Sequence, residues 1–156
     1  TEYNDGTIQF ETTQWSQTCA LPIFTEYNDG TIQFETTQWS QGYYDNGKIW
    51  QTFTLPEGKY EMRIEVKNAA NIGSGSTNIH FAVAQGESLP DNEELEKSDI
   101  ILSYLKFESE HTNKTSALPI FELTEEKTIT VGWVVSFSDI CRNIEFKSVR
   151  LWSVAE

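Results

Sequence analysis

The stretch Lys48–Lys67, KIWQTFTLPEGKYEMRIEVK, limits the fold more than any other part of the chain. Its second half alternates without a break. Tyr60, Met62, Ile64 and Val66 are apolar, and Glu61, Arg63, Glu65 and Lys67 between them are charged. A period of two sorts these sets onto opposite faces of an extended strand, one for a core and one for water. The first half alternates too, with Ile49, Phe53 and Leu55 on one face and Gln51 among them. Between the halves, Pro56-Glu57-Gly58 combines a fixed φ with a residue that tolerates any φ, which is the chemistry of a tight turn. The pattern predicts an antiparallel hairpin and an all-β domain built around it.

The remaining chain repeats this logic. Thr31–Trp39 reads as a strand anchored by Ile32 and Phe34, after the turn signal Asn28-Asp29-Gly30. Asn78–Gln85 puts Ile79, Phe81 and Val83 on one face, and Lys127–Phe137 does the same with Ile129, Val131, Trp133, Val135 and Phe137. Trp133 is therefore expected in the core. Asp99–Glu108 reads as a strand, Ala117–Leu123 as an edge strand broken by Pro119, and Ile144–Val154 as the last strand. In that last strand Phe146, Val149 and Leu151 break parity once, which predicts a bulge. Gly86–Ser98 is acidic and fits one short helical turn. Eight short strands with turn signals between them predict an antiparallel β-sandwich, a jelly roll.

Residues 1–17 and 25–41 both read TEYNDGTIQFETTQWSQ. Stacked repeats come as several similar copies, so one identical pair is not a solenoid. The insert Thr18–Phe24, TCALPIF, resembles translated sequencing-adapter sequence over Thr18–Ile23, although ALPIF recurs at Ala117–Phe121. Residues 1–24 are thus expected to be an artefactual or duplicated arm, with residues 25–156 forming a single β-sandwich domain. Only one copy is expected to fill the native slot, the second, leaving the first as a loose or edge-paired arm.

A chain of 156 residues can bury about two-thirds of its unfolded surface in one core. Its formal net charge is −13, with no basic stripe, which argues against nucleic-acid binding. No apolar run approaches a membrane span. The chain begins at Thr1 and its one methionine is Met62, so it is expected to be a piece of a longer protein. Cys19 lies in the suspect insert, which leaves Cys141 alone and predicts no disulfide. Cys141 has no identifiable His partner and reads as a structural thiol.

Catalytic patterns are nearly absent. His80 and His111 stand apart, Gly73-Ser74-Gly75-Ser76 is no nucleophile elbow, and no carboxylate spacing singles out an acid–base pair, so no enzyme is expected. One native cysteine and two scattered histidines do not make a zinc site. The carboxylates of Asp91–Asp99 lack calcium-loop spacing but leave a structural calcium ion open, so no cofactor is assigned and the metal ligands are unknown. Asn113-Lys114-Thr115 is a sequon, informative in a eukaryotic secreted protein.

Successive antiparallel strands send their loops to alternate poles of a sandwich. One pole should collect Pro56–Gly58, Gly86–Ser98 and Thr124–Glu126. The other should collect Gln41–Gly47, Asn68–Thr77, Ser109–Ser116 and Ser138–Asn143. The second group holds Tyr43, Tyr44, Asp45, Asn46, Asn71, His111, Asn113, Asp139 and Arg142. Such a set suits a glycan: rings pack on the C–H face of a sugar, and amides, carboxylates, His and Arg bond its hydroxyls. Trp50, opposite Ile49 and Phe53 in parity, is the candidate aromatic on a strand. The same Asn, Asp and Gly residues also serve turn geometry, so plain loops are the competing reading.

GKIWQTFTLPEGKYEMRIEV, FAVAQGESLP, PIFELTEEKTITVGWVVSF and FKSVRLW, in that order, resemble the C-terminal galactose-binding-like domains of uncharacterised function in surface lipoproteins of Gram-negative gut bacteria. The resemblance covers roughly two-thirds of the chain. It implies a galactose-binding-like jelly-roll sandwich, an extracytoplasmic location at the cell surface or in the periplasm, and an accessory or carbohydrate-binding role in glycan capture beside other domains of a parent protein. It transfers no binding residue. The expected function is a non-catalytic module for a glycan or oligosaccharide. The alternatives are a structural or protein-interaction module and, third, an accessory domain of a glycoside hydrolase.

Overall fold

Two antiparallel sheets face each other across an aromatic core. The computed structural model describes residues 7–9, 16–17, 24–26, 31–34, 44–69, 78–137 and 144–154. The seven-stranded sheet runs β10 (Phe121–Leu123), β6 (Gly58–Asn68), β12 (Ile144–Ser153), β4 (Ile32–Phe34) and β3 (Phe24–Glu26). In it β9 (Lys114–Ala117) also pairs with β6, and β1 (Thr7–Gln9) also pairs with β12. The five-stranded sheet runs β2 (Ser16–Gln17), β5 (Tyr44–Leu55), β11 (Lys127–Phe137), β7 (Asn78–Gln85) and β8 (Ile101–Lys106). Every pairing is antiparallel. The expected antiparallel β-sandwich is the observed fold.

Alternation decides what lies between the sheets. Tyr60, Met62, Ile64 and Val66 of β6 are buried there, as are Ile129, Val131, Trp133 and Val135 of β11. Trp133 is fully buried at the centre: Phe146 lies 3.8 Å from it between ring centroids, Phe81 4.8 Å edge-on and Phe107 5.4 Å. Offset and edge-on ring pairs of this kind add to the burial of apolar area. The bulge read from Phe146 and Val149 is present, with register shifts on either side of Phe146 in the β12–β6 ladder.

The expected hairpin is corrected. β5 pairs with β11 and β2, whereas β6 pairs with β12, β10 and β9, so Pro56-Glu57 carries the chain from one sheet to the other. Each strand is apolar on its inner face, and folding one over the other buries both, which direct pairing would not do. The Tyr60 hydroxyl donates to the Pro56 carbonyl at 2.9 Å and ties down this corner.

Two expected loops are partly strand. Gln41–Gly47 was expected as a loop, yet β5 begins at Tyr44, opposite Phe137. The triplet Asp45-Asn46-Gly47 forms a bulge there, with Asn46 at φ 55°. In Ser109–Ser116, a 3-10 turn at Ser109–His111 gives way to β9, which pairs with β6 from Lys114.

The acidic stretch Gly86–Ser98 does not stay at its pole. It folds back over the outer face of the five-stranded sheet and carries the helical turn α1 (Asn92–Leu95). Leu89 and Leu95 are buried against Ala82, Ala84 and Val134, forming a second apolar cluster with Trp50 and Tyr104 packed at its side. Two leucines in an acidic run account for this, because a sheet face bearing Ala82, Ala84 and Val134 needs an apolar cover.

Both copies of the N-terminal repeat contribute strands, the first as a paired arm. Phe34 and Ile32 of the second copy pair with Ile144 and Phe146, and Thr7–Gln9 of the first pairs with Arg150–Trp152. The paired segments Thr7–Gln9 and Ile32–Phe34 share an Ile-Gln step, and β12 is long enough to seat one near each end.

Candidate functional site

The outer face of the seven-stranded sheet carries alternating charges. Arg63 and Lys67 of β6 and Lys147 and Arg150 of β12 are exposed, while Ile64, Val66 and Val149 between them enter the core. The strands of this sheet carry six cationic side chains against five carboxylates, in a chain of net charge −13. The outer face of the other sheet lies under Gly86–Ile100, a segment with six carboxylates and one lysine. The two faces therefore differ in charge and in access.

A groove of about 400 Å³ crosses the exposed face, a size within the range of small-ligand sites. Glu65, Val66 and Lys67 of β6 line it, with Lys147 of β12 and Lys114 and Thr115 of β9. Asn113, at φ 62° before β9, and Thr31, just before β4, complete it. Glu65 is the one carboxylate in this lining among the described residues. Ser148 Oγ donates to Glu65 Oε2 at 3.2 Å, and Lys147 Nζ lies 3.6 Å from Glu65 Oε1. Lys67 Nζ reaches Glu145 at 4.0 Å. Lys114 has no ion pair among the described residues. Among the described residues no aromatic ring is part of the lining.

Along the same face Arg63 stands directly opposite Arg150 in the ladder. Like charges so placed repel. Arg63 is compensated by Glu61 at 2.6 Å and lies over the Trp152 ring, 4.8 Å from its centroid. Arg150 is exposed and has no ion pair among the described residues.

The structure does not bring the residues expected to bind a ligand to one place among the described residues. Asn113 lines the groove. Asp45, Asn46 and Trp50 belong to the other sheet and its acidic cover. Asn46 Oδ1 accepts the Asn92 N–H at 2.7 Å, and its Nδ2 donates to Asp45 at 3.2 Å and to Glu93 at 3.4 Å. Its amide thus caps α1, a use of Asn as a helix N-terminal partner. Trp50 is half-buried beside Leu89 and Leu95. His111 is half-buried edge-on to Phe107, and its Nδ1 accepts the Glu108 N–H at 2.8 Å, closing the 3-10 turn. Tyr44 opens β5 opposite Phe137. Tyr43, Asn71, Asp139 and Arg142 lie outside the described residues.

The acidic cover is fastened by a buried polar network. His80 is 2% exposed; its Nδ1 lies 2.8 Å from Asn92 Oδ1 and its Nε2 3.2 Å from Glu96 Oε1. Asn92 Nδ2 donates to Ser136 Oγ at 2.7 Å, and Lys48 Nζ reaches both Asp91 and the Leu89 carbonyl at 2.8 Å. Buried polar groups need such partners. Among the described residues no three His, Cys, Asp or Glu side chains gather as metal ligands, and no helix is long and apolar enough to cross a membrane.

The groove residues Lys67, Lys114 and Lys147 were not singled out in the sequence. Their signal was there, as cations at outward-facing positions of alternating strands, but strand order was needed to bring them together.

Comparison with known proteins places this geometry in context. Residues 23–132 match the family model described as Domain of unknown function (DUF5013). Among curated proteins no sequence matches. The C-terminal CBM6 of LamC, a marine laminarinase from Zobellia galactanivorans, superposes with a TM-score of 0.51 at 7% identity, covering 94% of this chain and 99% of that one. The xylan-binding module CBM15 gives 0.50 at 14% identity over 98% and 99% of the two chains. Xylanase10C from Cellvibrio japonicus, solved with xylopentaose, gives 0.57 at 14% identity; 96% of this chain matches 29% of that enzyme. At these identities the likeness is one of fold.

Proposed function

The chain belongs to the DUF5013 family, and from that premise we propose that it is a non-catalytic carbohydrate-binding module. It works as an accessory domain outside the cytoplasm, in a cell-surface lipoprotein, and holds a glycan for the other domains of that protein. The observation that carries this reading is the groove crossing the open face of a sandwich whose structural neighbours include CBM6 and CBM15. Fold analogy supplies the class of ligand, and the side chains must supply the chemistry. Asn113, Thr115, Glu65 and three lysines give the groove amide, hydroxyl, carboxylate and ammonium groups, which match the donors and acceptors of a sugar ring. A non-catalytic role fits a groove whose described lining holds one carboxylate, because glycoside hydrolysis normally takes two carboxylates flanking the scissile bond. Tyr43, Tyr44, Asn71, Asp139 and Arg142 are proposed as further contacts.

The test is isothermal titration of the full chain against plant, host and microbial glycans. Saturable binding of at least one glycan without turnover is the expected result. No binding to any of them would favour a structural or protein-interaction module, and turnover would make the domain an enzyme. Retained binding after joint substitution of Tyr43, Tyr44 and Arg142 by Ala would remove those three from the site.

A further inference from the structure

We propose that the ligand of the groove is an anionic saccharide, one whose sugar rings bear carboxylate or sulfate groups. The inference rests on the carbohydrate-binding reading and names the substrate class. Neutral sugars are held largely by aromatic rings against their C–H faces together with hydrogen bonds to hydroxyls. Among its described residues this groove presents three ammonium groups and no ring. Lys67 and Lys147 are each 56% exposed, and their internal pairs are long, at 4.0 and 3.6 Å. Ion pairs that exposed and that loose are worth little, so the ammonium groups are available to another anion. Lys114 has no ion pair among the described residues.

Charge-assisted hydrogen bonds from ammonium to carboxylate or sulfate are roughly twice as strong as neutral ones. Glu65 has a different part. Held by Ser148 and facing Lys147, it can accept from a ring hydroxyl while the three lysines take the charged substituents. Arg150, exposed and set opposite Arg63, extends the same cationic track beyond the groove along β12. At long range a chain of net charge −13 repels a polyanion. Binding would therefore be confined to this face and would weaken as salt rises.

The experiment measures binding of the full chain to polygalacturonate, to the same polymer fully methyl-esterified, to chondroitin sulfate, and to neutral galactan and xylan. Methyl esterification removes the charge and keeps the backbone, so it isolates the electrostatic contribution. Binding to at least one acidic polymer is expected, about tenfold or more tighter than to the ester or the neutral polymers, and weaker in high salt. The triple variant Lys67→Gln, Lys114→Gln, Lys147→Gln should lose about tenfold or more in that affinity with its melting temperature unchanged. Lys59→Gln, on β6 outside the groove, should bind as the parent does. Equal binding of ester and acid, or full binding by the triple variant, overturns the anionic assignment and leaves the carbohydrate reading standing. An equal loss in Lys59→Gln assigns the effect to bulk charge and also overturns it. No binding to any of the five polymers overturns both readings. Tighter binding to a single-stranded RNA oligomer than to every acidic polymer makes the groove a phosphate-backbone site and overturns the saccharide assignment.

Discussion

Replacing Leu95 by alanine tests whether the acidic stretch is part of the core or a polar loop lying on it. Leu95 is completely buried, in a cluster with Ala82, Ala84, Leu89 and Val134. The substitution deletes three carbon groups, which at about 0.8 kcal/mol each is a loss of about 2.4 kcal/mol in burial alone. The hole left behind adds to this, because surrounding atoms relax only in part, so a total of about 3–4 kcal/mol is expected. For a chain of this length that corresponds to a fall in melting temperature of about 6–14 °C. Urea unfolding followed by tryptophan fluorescence would measure it, with Glu94→Ala, an exposed neighbour on the same helical turn, as the control. The control should shift stability by less than about 0.5 kcal/mol. A Leu95→Ala loss below about 1 kcal/mol with an unchanged denaturant slope would refute the reasoning, since a buried leucine in a packed cluster cannot be lost so cheaply.

Gly132→Ala should be more damaging than its size suggests. A Cβ there would collide with the Ile49 carbonyl and sit 2.8 Å from Trp50 Cα, so β5 and β11 must separate; a loss of about 3 kcal/mol or more is expected in thermal melts, and an undisturbed melt would rule out the close approach. Tyr60→Phe removes one hydrogen bond at the inter-sheet corner and should cost about 1 kcal/mol in chemical unfolding, with no change in the far-ultraviolet spectrum. A chain of residues 25–156 should fold with the same spectrum as the full chain, because the second repeat supplies β4 and two of the three residues of β3. An unfolded product would mean that β1 and β2 of the first repeat are indispensable.

The fold was readable because alternation is a local property. Tyr60 to Val66 and Ile129 to Val135 declare a buried face within seven residues each, and both faces are buried as expected. Partnership is not local. Nothing in Lys48–Lys67 says whether its halves pair with each other or pack across a core, since in either case each half needs a cover that other strands can supply; only the ladders to β11 and β12 decide it. The acidic cover was misjudged for a related reason. Six carboxylates in fifteen residues mask two leucines spaced to sit on one face, and it is Leu89 and Leu95 that fix where the segment goes. Asn46 looked like a ligand contact because Asn in a turn-rich stretch has a free amide until the fold gives it Asn92 to cap.

The groove was hidden because no two of its lysines are neighbours in sequence. Lys67, Lys114 and Lys147 lie on three strands, and each alone reads as an ordinary solvent-facing charge. Net charge pointed the other way. At −13 the whole chain looks hostile to anions, and that sum is what a distant ion feels. A ligand seated among the strands feels something else, because in physiological salt charges beyond about 8 Å are largely screened. Inside that radius the described residues set three ammonium groups against Glu65, already engaged by Lys147 and Ser148, and Glu145, 4.0 Å from Lys67. The excess carboxylates are concentrated in loops and in the cover over the other sheet, where α1, Lys48 and the His80 network hold them. Affinity at the groove is therefore governed by where the cations are placed and not by the chain total. An acidic domain can repel polyanions at long range and still grip one acidic sugar at close quarters.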